Sequence, residues 1–107
     1  MSQTASNLKQ QSNGDRVARV DMKFEVAIVP VSDVDRAREF YTRLGWRLDD
    51  DVTVGNDFRA VQLTPQGSTA SITFGKGVTD AKPGSFRGGL IVSDIVAAHK
   101  VIVASGV

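Results

Sequence analysis

The stretch "VAIVPVSDVDRAREFYTRLGW", Val26 to Trp46, decides how this chain is read. Its opening is apolar and β-branched on both sides, which predicts a strand over Lys23–Val31 ("KFEVAIVPV") covered on both faces. Pro30 falls near the strand's end, where a missing N–H is tolerated. "SDVD" then reads as a helix start, with Ser32 as the expected cap and Asp35 placing negative charge in the first turn. Val34, Ala37, Phe40, Tyr41 and Leu44 recur at helical spacing and form one apolar stripe. Gly45 stops the helix at the position that takes a left-handed backbone.

Beyond this corner, turn residues separate three strand-like runs: "WRLDDDVTV", "FRAVQLT" and "ASITF". A connector, "GKGVTDAKPGS", leads to an expected short strand at Gly89–Val92. There the corner is written again. Setting Val31 on Val92 aligns Ser32 with Ser93, Asp33 with Asp94, Val34 with Ile95, Ala37 with Ala98 and Gly45 with Gly106, without a gap. This is an internal repeat of one strand-helix-three-strand unit. Its second helix carries "VIV" at 101–103, whose local preference is for strand, so the helix there is predicted from the repeat and its periodicity.

The expected fold class is therefore α+β: a βαβββ unit with a cupped mixed sheet and the helix outside, followed by a second unit of which only strand and helix are present. The expected division is a disordered polar leader over 1–21 and one domain over 22–107, with the first unit at 22–82 and the start of the second at 83–107. A chain of 107 residues suits one core. Thirteen Lys and Arg are scattered among twelve Asp and Glu, a near-neutral balance without the basic stripe that nucleic acid requires. No cysteine is present, which excludes disulfides, zinc–thiolate and iron–sulfur sites and a thiol nucleophile. The sequence has no apolar run of signal-peptide or membrane-spanning type, and a cytoplasmic protein is expected.

Tandem βαβββ units with "VSDVDRAREFYTRLGW" in the first resemble the vicinal oxygen chelate superfamily, which includes glyoxalases, extradiol dioxygenases and bleomycin-resistance proteins. The resemblance covers residues 23–107 and is looser in the second copy. It implies a cup of two units with a small-molecule site inside, and, in metal-using members, ligands at defined positions. The first ligand position, seven residues before Asp33, is Val26; the glutamate position on the fourth strand is Thr73; the second copy's histidine position is Arg87. Valine, threonine and arginine are not donors for a divalent ion. The resemblance thus implies the fold without the chelating residues, and no cofactor is expected.

Other residues invite a role. His99, the single histidine, aligns with Arg38, off the apolar stripe, and reads as a surface residue. The run Asp49–Asp51 reads as a charged hairpin edge, since neighbouring strand residues point to opposite faces. "GKG" at 75–77 lacks the spacing of a phosphate loop and reads as a turn. Arg87, at a ligand position, is placed either to pair with an anionic group of a ligand or on the surface at the connector's end. Gln62 and Thr73 alternate with apolar neighbours and either orient a ligand or face solvent.

The expected function is metal-free binding of a small organic molecule in the cup, by Val26, Ile28, Trp46, Gln62, Thr73 and Arg87. The alternatives are a metal-dependent glyoxalase- or dioxygenase-like enzyme and a structural dimerisation module. The second unit's missing strands imply either a homodimer that completes the cup or a longer two-unit protein. No nucleic-acid or membrane partner is expected.

Overall fold

The computed structural model describes residues 19–106. Most of the expected leader therefore lies outside the described residues, and Arg19–Glu25 runs exposed without regular structure. The elements follow as β1 (Val26–Ile28), α1 (Val34–Arg43), β2 (Arg47–Val54), β3 (Phe58–Thr64), β4 (Ser71–Lys76) and α2 (Ile95–Ala104). One mixed sheet has the order β1-β4-β3-β2. β1 lies parallel to β4, while β3 is antiparallel to both β4 and β2.

The helix lies over β3 and β4 because its stripe meets theirs. Val61, Leu63 and Phe74 are fully buried, and Val34, Ala37, Tyr41, Trp46 and Ile72 pack against them. Register explains the match: Val61 stands opposite Phe74 and Leu63 opposite Ile72, so one face of the sheet collects the apolar residues. Tyr41 holds this layer together, its ring 4.8 Å from that of Trp46 and 5.9 Å from that of Phe74. Burial also raises the Tyr41 phenol's pKa above its ordinary value.

Three sequence expectations are corrected. The caps are Asp33 and Asp94, not Ser32 and its repeat partner. Asp33 accepts from the Arg36 N–H, and Asp94 from those of Val96 and Ala97. The first strand spans only Val26–Ile28 and is covered on one face, because α1 occupies one side of the sheet and leaves the other bare. The expected strand at Gly89–Val92 does not form: Leu90, Ile91 and Val92 are exposed and have no ladder partner among the described residues.

The repeat nevertheless holds in geometry. Asp33 and Asp94 share an extended backbone, Ala37 and Ala98 donate to their carbonyls at 3.0 and 2.9 Å, and Gly45 and Gly106 close the helices at φ 89° and 95°. What differs is the partner. α1 has a sheet beneath it, whereas α2 leaves Ile95, Val96, Val101 and Val103 exposed. Arg43 Nη2 donates to the Ser105 carbonyl at 3.3 Å, so the two helices meet near their C-terminal ends.

Candidate functional site

The face of the sheet turned away from α1 carries most of the expected binding residues. Strand alternation sends Val61, Leu63, Ile72 and Phe74 to the helix and their neighbours to the other side. Ladder pairing then lines up Ile28, Thr73, Gln62 and Asp50 as one row across all four strands. The row passes from an apolar residue through a hydroxyl and an amide to a carboxylate. Val26 lies two residues along β1 from Ile28; both are about two-fifths exposed, at 41% and 42%. Val52, Val54 and Phe58, also exposed, extend the apolar surface at the hairpin end.

Four of the six expected residues are therefore brought together: Val26, Ile28, Gln62 and Thr73. The other two are not. Trp46 stands on the α1 side, packed against the core cluster and Tyr41. Arg87 lies exposed in the irregular connector before α2. A separate groove of about 690 Å³ runs along α1, between Val29, Pro30, Phe40, Tyr41, Pro83 and Gly106. None of the six residues lines it.

One end of the open face was not foreseen. A bulge in β2 lets Leu48 pair with Leu63 and Asp50 with Gln62, leaving Asp49 as the extra residue. Asp49 accepts a hydrogen bond from the Thr64 hydroxyl and an ion-paired one from Arg47. Thr64 in turn lies 2.6 Å from the Ser71 hydroxyl across the β3–β4 pair. The Thr64 bond, then Arg47, holds the Asp49 carboxyl below its ordinary range. Period-two alternation in "FRAVQLT" and "ASITF" places Thr64 with Gln62 and Ser71 with Thr73, but a bulge has no signature in "DDD".

On the helix side, Asp51 is bound by Arg59 through two 3.0 Å hydrogen bonds, and Arg38 stands 3.5 Å away. Arg59 also donates to Asp35 of α1 at 2.7 Å. The hydrogen bonds from Arg59 lower the Asp51 pKa, and those to Asp51 and Asp35 raise that of Arg59. So the acidic run splits three ways: Asp49 to the bulge, Asp50 to the open face, Asp51 to the helix clamp. The "GKG" stretch is not all turn as expected: Gly75 and Lys76 end β4, and Lys76 Nζ donates to the Asn56 carbonyl at 2.6 Å. His99 is exposed on α2.

A divalent ion does not fit the residues at the positions where the family resemblance places its ligands. Val26 offers no donor, Thr73 offers a neutral hydroxyl, and Arg87 brings a positive charge elsewhere on the chain. Among the described residues no three His, Cys, Asp or Glu gather closely enough to hold an ion. No described helix is long and apolar enough to cross a membrane.

Residues 25–57 match the family profile described as bleomycin resistance protein-like N-terminal. No curated protein matches the chain. Among solved structures, it is similar to a glyoxalase/bleomycin resistance protein from Streptomyces sp. CB03234, with 30% identity and a TM-score of 0.66 over 78% of this chain and 75% of that one. It is also similar to TnmS3, an antibiotic binding protein from Streptomyces sp. CB03234, at 28% identity and a TM-score of 0.68, covering 83% and 74% of the two chains. A third relative is a member of the glyoxalase/bleomycin resistance protein/dioxygenase superfamily from Sphaerobacter thermophilus DSM 20745, at 28% identity and a TM-score of 0.67, covering 80% and 73%. With its strand-helix-three-strand unit, its repeated corner and this identity over three quarters of a relative, the chain belongs to the glyoxalase/bleomycin resistance protein/dioxygenase superfamily, the vicinal oxygen chelate group.

Proposed function

We propose that this protein is a cytoplasmic, metal-free binder of a small organic molecule, which lies against the open face of the sheet and is sequestered there rather than transformed. The observation that carries this reading is the Ile28–Thr73–Gln62 row in register, flanked by exposed Val26, Val52 and Phe58. Small-molecule sites combine apolar contact with a few oriented polar groups, and this face has that composition. The relatives support the same reading, since one is an antibiotic binding protein and another a glyoxalase/bleomycin resistance protein. Arg87 enters the proposal only as an exposed connector residue that pairs with an anionic part of the ligand.

An open face is one wall, and a ligand held against one wall keeps much of its surface in water. The proposal therefore includes a homodimer whose second copy closes the cup, with the bare apolar side of α2 buried in the same assembly. Light scattering at micromolar concentration is expected to give twice the chain mass.

The deciding experiment is a titration of the metal-stripped protein with bleomycin and a panel of aromatic fragments, followed by amide chemical shifts. Shifts centred on Ile28, Gln62 and Thr73, unchanged by a chelator, are the expected result. Tightly held stoichiometric nickel, zinc, iron or manganese in the purified protein would replace this reading with the metal-dependent enzyme. A full dimer in which no probe moves those amides would replace it with the structural module.

A further inference from the structure

We propose that Asp49, Thr64 and Ser71 form a one-way hydrogen-bond chain that fixes the Ser71 hydroxyl as an acceptor at the end of the open face, so that the site selects ligands carrying an O–H or N–H donor there. The inference rests on the open face being the binding surface, and adds to it a rule for which ligands are accepted.

The direction follows from counting hydrogens. Each hydroxyl has one to give, and an ionised carboxylate has none. Asp49 is bound at one oxygen by the Arg47 guanidinium and at the other by Thr64, contacts that keep it ionised at neutral pH. Thr64's single hydrogen is thereby committed to Asp49. The 2.6 Å bond between Thr64 and Ser71 must then use the hydrogen of Ser71. Both hydroxyls have spent their donors, and Ser71 retains only lone pairs.

Burial keeps the chain from relaxing. Thr64 is 3% exposed, so water does not compete for its bonds, while Ser71, at 9%, keeps an edge at the surface. Ser71 pairs with Val26 on β1 and lies two residues along β4 from Thr73. A ligand covering the Val26 and Thr73 side chains thus meets an acceptor at that corner. A ligand that brings its own acceptor there leaves two lone pairs facing each other without a proton, a desolvated mismatch that costs more than the bond is worth.

The test uses two probes of equal ring shape, 2-naphthol, which donates, and 2-methoxynaphthalene, which only accepts. Affinities come from amide-shift titrations of the whole chain, which also locate each probe. Wild type is expected to bind 2-naphthol about ten-fold more tightly, the worth of one such hydrogen bond. Thr64→Val frees the hydrogen of Ser71 and should bring the ratio down to about one, whereas Thr64→Ser keeps the chain and the preference. Ser71→Ala, which disturbs no other member of the chain's link to Asp49, should also abolish it and serves if Thr64→Val does not fold. Equal affinity of wild type for two probes that both shift the Ile28–Thr73–Gln62 row overturns the one-way chain and leaves the binding face standing. Binding of neither probe at that row overturns both.

Discussion

Arg59 on β3 grips Asp51 on β2 through two parallel hydrogen bonds of 3.0 Å and reaches Asp35 on α1 with its remaining nitrogen. One guanidinium therefore ties the hairpin to the helix at the end of the layer where the apolar core runs out. The two-pronged geometry matters more than the charge, because Asp35 is mostly exposed and solvent screens that arm. Arg59→Ala is expected to lower stability by roughly 1–2 kcal/mol, and Arg59→Lys to recover only part of it, since an ammonium cannot form the fork. Urea unfolding followed at Trp46 checks both.

Acid should loosen the same contacts in a defined window. Asp49 and Asp51 both sit below the ordinary aspartate value of 3.8 when folded, so the folded chain binds fewer protons than the unfolded one near that pH. Their contribution is complete above that value and is lost as pH falls through the lowered folded values. A melting temperature that is flat at neutral pH and drops below about pH 4 is expected, with a shallower drop in Asp51→Asn. An Asp51→Asn variant with the wild-type acid profile would remove Asp51 from this account.

Gly75 is fixed by close approach. A Cβ there would run into the Arg59 carbonyl and stand 3.0 Å from the Ala60 Cα, both backbone atoms that cannot swing aside. Gly75→Ala should therefore strain the β3–β4 ladder and cost on the order of 2 kcal/mol or more, with the Arg59 and Ala60 amides losing exchange protection first. Gly55→Ala, where the hairpin turn is open but φ is 59°, should cost about 1 kcal/mol without touching that ladder.

Within the core, Phe74→Ala removes a fully buried ring from contact with Tyr41 and should cost about 3–5 kcal/mol. The open face should behave in the opposite manner. Thr73→Val and Gln62→Leu alter no buried contact of the core, so melting temperatures should stay within a few degrees of wild type. Probe binding at the row should meanwhile weaken several-fold, as expected when one hydrogen bond is lost. Equal binding by all three proteins would separate the polar pair from ligand recognition.

Caps and stops were the most legible part of the chain. Asp33 and Asp94, Gly45 and Gly106 act within a few residues of themselves, so sequence spacing predicts two helices even where "VIV" at 101–103 favours strand. One error of a single position, Ser32 for Asp33, shows the limit of that reading: both side chains suit a cap, and only the backbone turn chooses. The strands "FRAVQLT" and "ASITF" were equally clear in kind. Their alternation also told Val61, Leu63 and Phe74 apart from Gln62 and Thr73, and so exposed the polar pair of the candidate site.

What the sequence by itself determined is the set of local elements, the repeated corner and which side chains stand at the positions where the family resemblance places metal ligands. The tertiary structure alone decided which face of the sheet the helix covers, where β2 bulges, and that Arg59, Asp51 and Asp35 share one clamp while Asp49, Thr64 and Ser71 share another. It also set Trp46 among the core rings and left Leu90–Val92 without a strand partner. The reason is physical: caps and turns are settled by bonds between near neighbours, whereas register, bulges and face coverage are settled by contacts between residues far apart in the chain, whose pairing no local preference encodes.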